Sequence, residues 1–169
     1  MKWILIAVVI LFLAACTQVT MELKITSPAF VNNGKLPAKY TCDGQGVNPS
    51  LDIEGIPKEA NSLVLIVDDP DAVSGTFVHW VVFDIPAKNI IEENSTPGTE
   101  GVNSAKRHGY VGPCPPSGTH RYFFKAYALN STLNISENST KADVEKAMKG
   151  KILASGQIIG LYARNLGKV

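Results

Sequence analysis

A mainly β domain with one or two short helices is the fold class that three features of this sequence predict. Apolar and aromatic runs of strand length recur along the chain, the clearest at residues 62–68, 76–85 and 120–129. Clusters of Pro, Gly and Asn, such as Asn32-Asn33-Gly34 and Pro97-Gly98, separate these runs as turns do. Only one segment, after Thr140, combines helical spacing with helix start and stop signals.

The chain opens with Lys2 and an apolar run over residues 3–13, well short of the ~20 residues a spanning helix needs. It closes on Leu13-Ala14-Ala15-Cys16, small residues of the kind at which signal peptides are cut. A cysteine after Leu-Ala-Ala resembles the prokaryotic lipoprotein signal. Residues 1–15 are thus expected to be a lipoprotein-type signal peptide, with Cys16 lipidated and residues 16–21 a tether. An ordinary signal peptide or an uncleaved anchor is the plainer alternative. The domain, residues 22–169, is then exported and held on the outer face of a prokaryotic membrane by lipid alone.

Residues 22–26 and 50–54 are weaker strand candidates. Residues 62–68 (SLVLIVD) are continuously apolar, as in a strand covered on both faces. Residues 76–85 (TFVHWVVFDI) and 120–129 (HRYFFKAYAL) are longer, aromatic and β-branched. Residues 130–140 are polar and hold three Asn-x-Ser/Thr triplets, at Asn130, Asn134 and Asn138, with a fourth at Asn94. This is the acceptor pattern for N-linked glycans in exported proteins, and a pattern that an Asn/Ser-rich loop also produces by chance. Thr140-x-x-Asp143 resembles a capping box with Asp in place of Glu. Ala142, Val144, Ala147 and Met148 can share a helix face, and Gly150 supplies the stop. Residues 157–164 form a last, weaker strand candidate.

Loss of Lys2 takes the 16 Lys and Arg to 15, equal to the 15 Asp and Glu. A neutral domain without a basic stripe has no general pull on nucleic acid or on an acidic membrane. Lipidation of Cys16 leaves Cys42 and Cys114 from the chain's three cysteines. They either pair or remain separate thiols, and an oxidising compartment favours the pair. A bond closing a loop of about 70 residues stabilises by roughly 3–4 kcal/mol, less any strain.

Strict alternation puts His120, Tyr122 and Phe124 on one strand face, opposite Arg121, Phe123 and Lys125. In the strand before it, Phe77, His79, Val81 and Phe83 share a face opposite Val78, Trp80 and Val82. A lone histidine among such neighbours is more often a satisfied core residue than a functional one; two that converge are another matter. Asp68-Asp69-Pro70-Asp71 ends an apolar strand in three carboxylates. Turn chemistry explains one or two of them, and a third has room for another task, such as orienting a histidine.

Four blocks in order then resemble the phosphatidylethanolamine-binding protein family, in its prokaryotic, Raf-kinase-inhibitor-like branch (YbhB/YbcL type). They are Asp69-Pro70-Asp71-Ala72, His79-Trp80-Val81-Val82-Phe83, Gly109-Tyr110-x-Gly112-Pro113-Cys114-Pro115-Pro116 and His120-Arg121-Tyr122. Tyr40-Thr41-Cys42-Asp43-Gly44 is similar to an early motif of that branch. The resemblance implies a large antiparallel sheet packed on a smaller one, with short peripheral helices. It also implies a small pocket for phosphate- or carboxylate-bearing anions and no cofactor. Carried over position by position, the pocket residues are Asp69, His79, Tyr110, Gly112, Pro113, Cys114, Pro115, His120 and Tyr122. This chain departs from the pattern at Val73, where the family usually has proline. The short connection from Asp71 to His79 implies a different rim on that side. A C-terminus with little helical character, where eukaryotic members carry a helix near the pocket, implies a more open mouth.

The stiff loop fits such a pocket. Its prolines fix φ and lower the entropy lost on binding, while Gly112 and Cys114 keep their N–H groups as donors. Two histidines supply hydrogen bonds and, when protonated, charge, and Asp69 can orient an imidazole and favour its charged form. Anion binding is then expected to strengthen as pH falls. The expected function is a non-catalytic binding module on a membrane-anchored lipoprotein, with a protein partner as a further reader of the pocket. The rival is a hydrolase in which Asp69, His79 and His120 hold a metal or act as general acid and base. It lacks a clear nucleophile: Ser117 is not in a Gly-x-Ser-x-Gly turn, and Cys114 is unavailable if paired.

Overall fold

A computed structural model describes residues 21–164. The expected signal peptide, Cys16 and the expected tether up to residue 20 fall outside the described residues, as do residues 165–169. The fold is mainly β. In chain order the strands are β1 (Met21–Glu22), β2 (Lys24–Thr26), β3 (Gly34–Lys35), β4 (Leu51–Glu54) and β5 (Ser62–Asp69). They continue with β6 (Phe77–Pro86), β7 (Ile90–Ile91), β8 (Thr99–Glu100), β9 (His120–Leu129) and β10 (Ile152–Tyr162). Among the described residues a single short α-helix, α1 (Lys141–Ala147), precedes β10, and a 3-10 turn spans Ala38–Tyr40.

Seven strands form one sheet in the order β1-β10-β9-β5-β6-β8, with β3 also on the outer edge of β10. Its centre is antiparallel; only the short β1 and β3 run parallel to β10. A smaller sheet, β2-β4-β7, packs across it. Leu51, Ile53 and Ile91 from the small sheet meet Leu65, Val67, Trp80, Val82 and Phe124 from the large one in the main core. On the outer face of the large sheet, Val64, Ile66, Val81 and Phe83 pack under Leu133, Val144 and Met148. Every residue of β5 is buried, because both of its faces are covered, and this is why its sequence is a continuous apolar run.

The strand expected at residues 22–26 is two strands in two sheets. The chain crosses over at Leu23, whose N–H donates to Ser155 O at 2.9 Å. Gly156 permits the crossing, since a Cβ there would lie 2.0 Å from the Leu23 carbonyl oxygen. The last strand begins at Ile152, earlier than expected, with a bulge between Ile152 and Ala154. Strands β3, β7 and β8, two residues each, are too short to give a periodic signal. The capping box forms as expected: Asp143 accepts from the Thr140 N–H at 2.9 Å, and the Thr140 hydroxyl oxygen accepts from the Asp143 N–H at 3.4 Å. Gly150, at φ 74°, ends the helical segment.

Candidate functional site

Because β5 runs antiparallel to both β6 and β9, its last residues lie beside the first residues of those two strands. Asp69, His79 and His120 thus arrive at one edge of the large sheet. The histidines would still miss each other if β6 were regular. Val67 pairs with Trp80 and Asp68 with Val78, so His79 is the extra residue of a β-bulge. Strict alternation had placed His79 with Val81 and Phe83, on the face opposite Trp80. The bulge corrects that: His79 turns to the Trp80 face, where its ring centroid lies 5.3 Å from that of Tyr122. His120 stacks on the other side of the site at 6.5 Å from the Tyr122 centroid.

These side chains line a cavity of about 510 Å³. Asp69, His79, His120 and Tyr122 form its polar end. Ala72 and Val73 from the β5–β6 loop, Phe77 at the start of β6, and Pro115 and Pro116 from the loop before β9 make the rest largely apolar. Phe77, which the sequence reading aligned with His79 but did not assign to the site, packs on the His79 ring at 4.8 Å. Val73 is 84 % exposed at the rim.

Each histidine has one nitrogen already committed. His120 Nδ1–H donates to Asp69 Oδ2 at 2.8 Å, and both side chains are nearly buried. Asp69 Oδ1 accepts the Asp71 N–H at 2.8 Å. Asp71 is in turn gripped by Arg121, through its backbone N–H and Nε at 2.9 Å and Nη2 at 2.7 Å. Those hydrogen bonds hold the Asp71 carboxyl down to about 2, against a smaller opposing effect of burial. His79 Nδ1–H donates to Val111 O at 2.6 Å, and the Val111 N–H returns a bond to His79 O at 3.0 Å. Burial pushes the His79 pKa below its ordinary value, despite the Val111 carbonyl and Asp69, which act the other way. In both rings Nε2 is left over. The Tyr122 hydroxyl is buried without a hydrogen-bond partner among the described residues, and burial raises its pKa.

The three acids at the end of β5 have three different tasks. Asp69 orients His120 and Asp71 binds Arg121. Asp68 faces the other side of the sheet, where Lys125 and Lys141 approach it at 2.8 and 2.5 Å and tie α1 to the strand.

The loop that closes the cavity is tied down twice. Cys114 is bonded to Cys42, with a Cα–Cα distance of 5.4 Å, and the Cys42 N–H donates to Pro113 O at 3.0 Å. Gly112 sits against the Thr41–Cys42 backbone, where a Cβ would be 2.9 Å from the Thr41 carbonyl carbon. The N–H groups of Gly112 and Cys114 donate to no acceptor among the described residues. Of the residues expected to line the pocket, Asp69, His79, Gly112, Cys114, Pro115, His120 and Tyr122 do so, whereas Tyr110 and Pro113 do not. The Tyr110 hydroxyl donates to Tyr40 O at 3.1 Å and its ring meets Trp80 edge-on, so it braces the loop from the core side. Pro113 is buried behind the loop. Among the described residues no three His, Cys, Asp or Glu side chains are arranged to hold a metal ion, and no helix is long and apolar enough to cross a membrane.

Residues 26–163 match the family described as phosphatidylethanolamine-binding protein. A UPF0098 protein of Methanothermobacter thermautotrophicus is 43% identical over 150 residues, covering 84% of this chain and 99% of the relative. One from Pyrococcus abyssi is 47% identical over 154 residues, covering 85% and 86%. Among solved structures, a putative phosphatidylethanolamine-binding protein homolog from Chlamydia trachomatis superposes with a TM-score of 0.82 at 38% identity, covering 86% of this chain and 99% of its own. E. coli YbcL, described as a member of the mammalian PEBP family, superposes with a TM-score of 0.77 at 28% identity, covering 85% and 99%.

Proposed function

The chain belongs to the phosphatidylethanolamine-binding protein family, in its prokaryotic branch, and from that premise we propose that it is a non-catalytic binding module whose cavity takes a small anion bearing a phosphate or carboxylate. The observation that carries this reading is the division of labour within the two histidines. Nδ1 of His120 is spent on Asp69 and Nδ1 of His79 on Val111. Nε2 of each ring, a donor once that imidazole is protonated, and the unpartnered Tyr122 hydroxyl remain for a ligand. Gly112 and Cys114 also line the cavity, and their N–H groups, without an acceptor among the described residues, serve as fixed donors for the anion. The module is exported and held by lipid on Cys16, and the Cys42–Cys114 bond fits such an oxidising setting. A protein partner that reads the cavity mouth belongs to the same proposal.

Calorimetric titration of phosphate and phosphoethanolamine into the purified domain tests it. In titrations below about pH 6.5, His79→Ala and His120→Ala should each lose about 1.5–3 kcal/mol, roughly ten- to a hundredfold in affinity. Lys88→Ala, an exposed residue outside the cavity wall, should leave affinity unchanged. Equal affinities for parent and histidine variants would overturn the proposal.

The hydrolase alternative draws on the Asp69–His120 pair, which has the orienter–base arrangement of a catalytic dyad. It still needs a nucleophile. Ser117 is exposed and outside the cavity wall, and Cys114 is in a disulfide. Both Asp69 oxygens already accept hydrogen bonds, which leaves it poorly placed as a metal ligand. About one zinc or iron per chain by elemental analysis of the purified protein would favour this alternative.

A further inference from the structure

The polar connection between β9 and α1 carries three Asn-x-Ser/Thr triplets spaced four residues apart: Asn130-Ser131-Thr132, Asn134-Ile135-Ser136 and Asn138-Ser139-Thr140. Asn94-Ser95-Thr96 is a fourth. A glycan added to an exported chain before it folds has to find itself outside the folded surface. The structure poses that requirement for each asparagine separately, and some fail it. Asn48 and Asn103, which start no such triplet, are buried at 3% exposure. Their carboxamides hold loops together, Asn103 through Gly109 O at 2.9 Å and Asn48 through Glu92 O at 2.9 Å. Asn94, Asn130, Asn134 and Asn138 are all exposed, and none of their carboxamides makes a hydrogen bond to a described residue.

The loop is not loose. Leu133 is buried at 6% exposure and Ile135 packs beside it in the outer core. Asp84 accepts the Leu133 and Asn134 N–H groups at 2.6 and 3.3 Å. Its apolar side chains are thereby turned inward and its asparagines outward. None of the four asparagines lines the cavity, so bulk attached there leaves the mouth open.

We propose that Asn130, Asn134 and Asn138, with Asn94 as a separate position, are acceptors of N-linked glycans, and that the outer loop over residues 130–138 is a glycosylated surface. The inference rests on the export reading. The donor is a lipid-linked glycosyl phosphate, used by a membrane transferase. Asparagine Nδ2 forms a bond to the sugar's anomeric carbon, the carbon–oxygen bond to the lipid phosphate breaks, Nδ2 gives up one proton, and the lipid phosphate leaves.

Full-length protein purified from the membranes of its source cells provides the test. Trypsin cuts after Lys125 and Lys141, so one peptide, residues 126–141, holds all three loop positions; residues 89–106 hold Asn94. Mass spectrometry should find both with added sugar masses. Asn130→Gln, Asn134→Gln and Asn138→Gln should each remove one increment, whereas Thr132→Ser, which keeps the triplet, should remove none. Unmodified peptides from a chain whose Cys16 carries lipid overturn the glycan assignment alone. Unmodified peptides from a chain that still retains residues 1–15 overturn the lipoprotein reading of Cys16 together with it.

Discussion

His79 is the residue on which the candidate site turns, and its position was half legible. The sequence shows a histidine in an aromatic strand; it does not show the bulge that brings it to the same face as His120. An extra residue in one strand leaves no compositional trace when both neighbours are apolar, as Val78 and Trp80 are. Burial has a consequence for pH. The unfolded chain protonates this histidine near its ordinary 6.5, while the folded protein resists protonation to a lower pH. Stability is therefore complete above about pH 6.5 and falls as the pH drops from there through the lower folded value. Thermal melting between pH 7 and 5 should show the parent losing more than a His79→Gln variant. An anion beside the ring favours the charged form, so the part of phosphate affinity due to His79 should grow below pH 6.5 rather than near neutrality. Arg121 is a subtler case. Alternation correctly turned it away from the cavity, yet its grip on Asp71 reaches Asp69 and through it His120. The ion pair is partly exposed, with Arg121 at 52%, so its loss is screened. Arg121→Ala should cost about 1 kcal/mol or less, at most roughly fivefold in phosphate affinity by calorimetry.

Elements that carry long periodic signals were legible, and those defined by contacts were not. β5, β6 and β9 stood out because eight to ten residues repeat one pattern, and the Thr140 box announced α1. The split of residues 22–26 between two sheets depends on Gly156, far away in sequence, and could not be read locally. The same holds for Tyr110 and Pro113, which belong to the loop block by motif but brace it from behind. Two predictions belong to this scale. The disulfide joins residues 72 apart, and chain-entropy arguments give it about 4 kcal/mol. Cys42→Ser with Cys114→Ser should lower unfolding stability in urea by up to that amount. It should also weaken phosphate binding, because the loop bearing Gly112 is no longer pinned. Thr140→Ala removes one side of the capping box and should cost about 1 kcal/mol, with no change in phosphate affinity, since α1 packs on the opposite face of the sheet.

At the scale of the whole molecule, three segments distant in sequence, at residues 69, 79 and 111–120, meet at one edge of the large sheet. Antiparallel pairing makes that meeting obligatory once β5 lies between β6 and β9. Where the molecule resides is a separate prediction: Cys16→Ser should release the protein from membranes or leave an unprocessed precursor, read by fractionation and immunoblotting. The central claim, that an anion sits between His79 and His120, is tested most directly by 15N NMR of histidine-labelled protein during phosphate titration. The chain's third histidine, His108, is exposed, pairs with the Glu100 carbonyl and lies outside the cavity wall, so it serves as an internal control. The Nε2 resonances of His79 and His120 should move together and saturate while those of His108 stay in place. Stationary His79 and His120 resonances, or an equal shift at His108, would contradict the account.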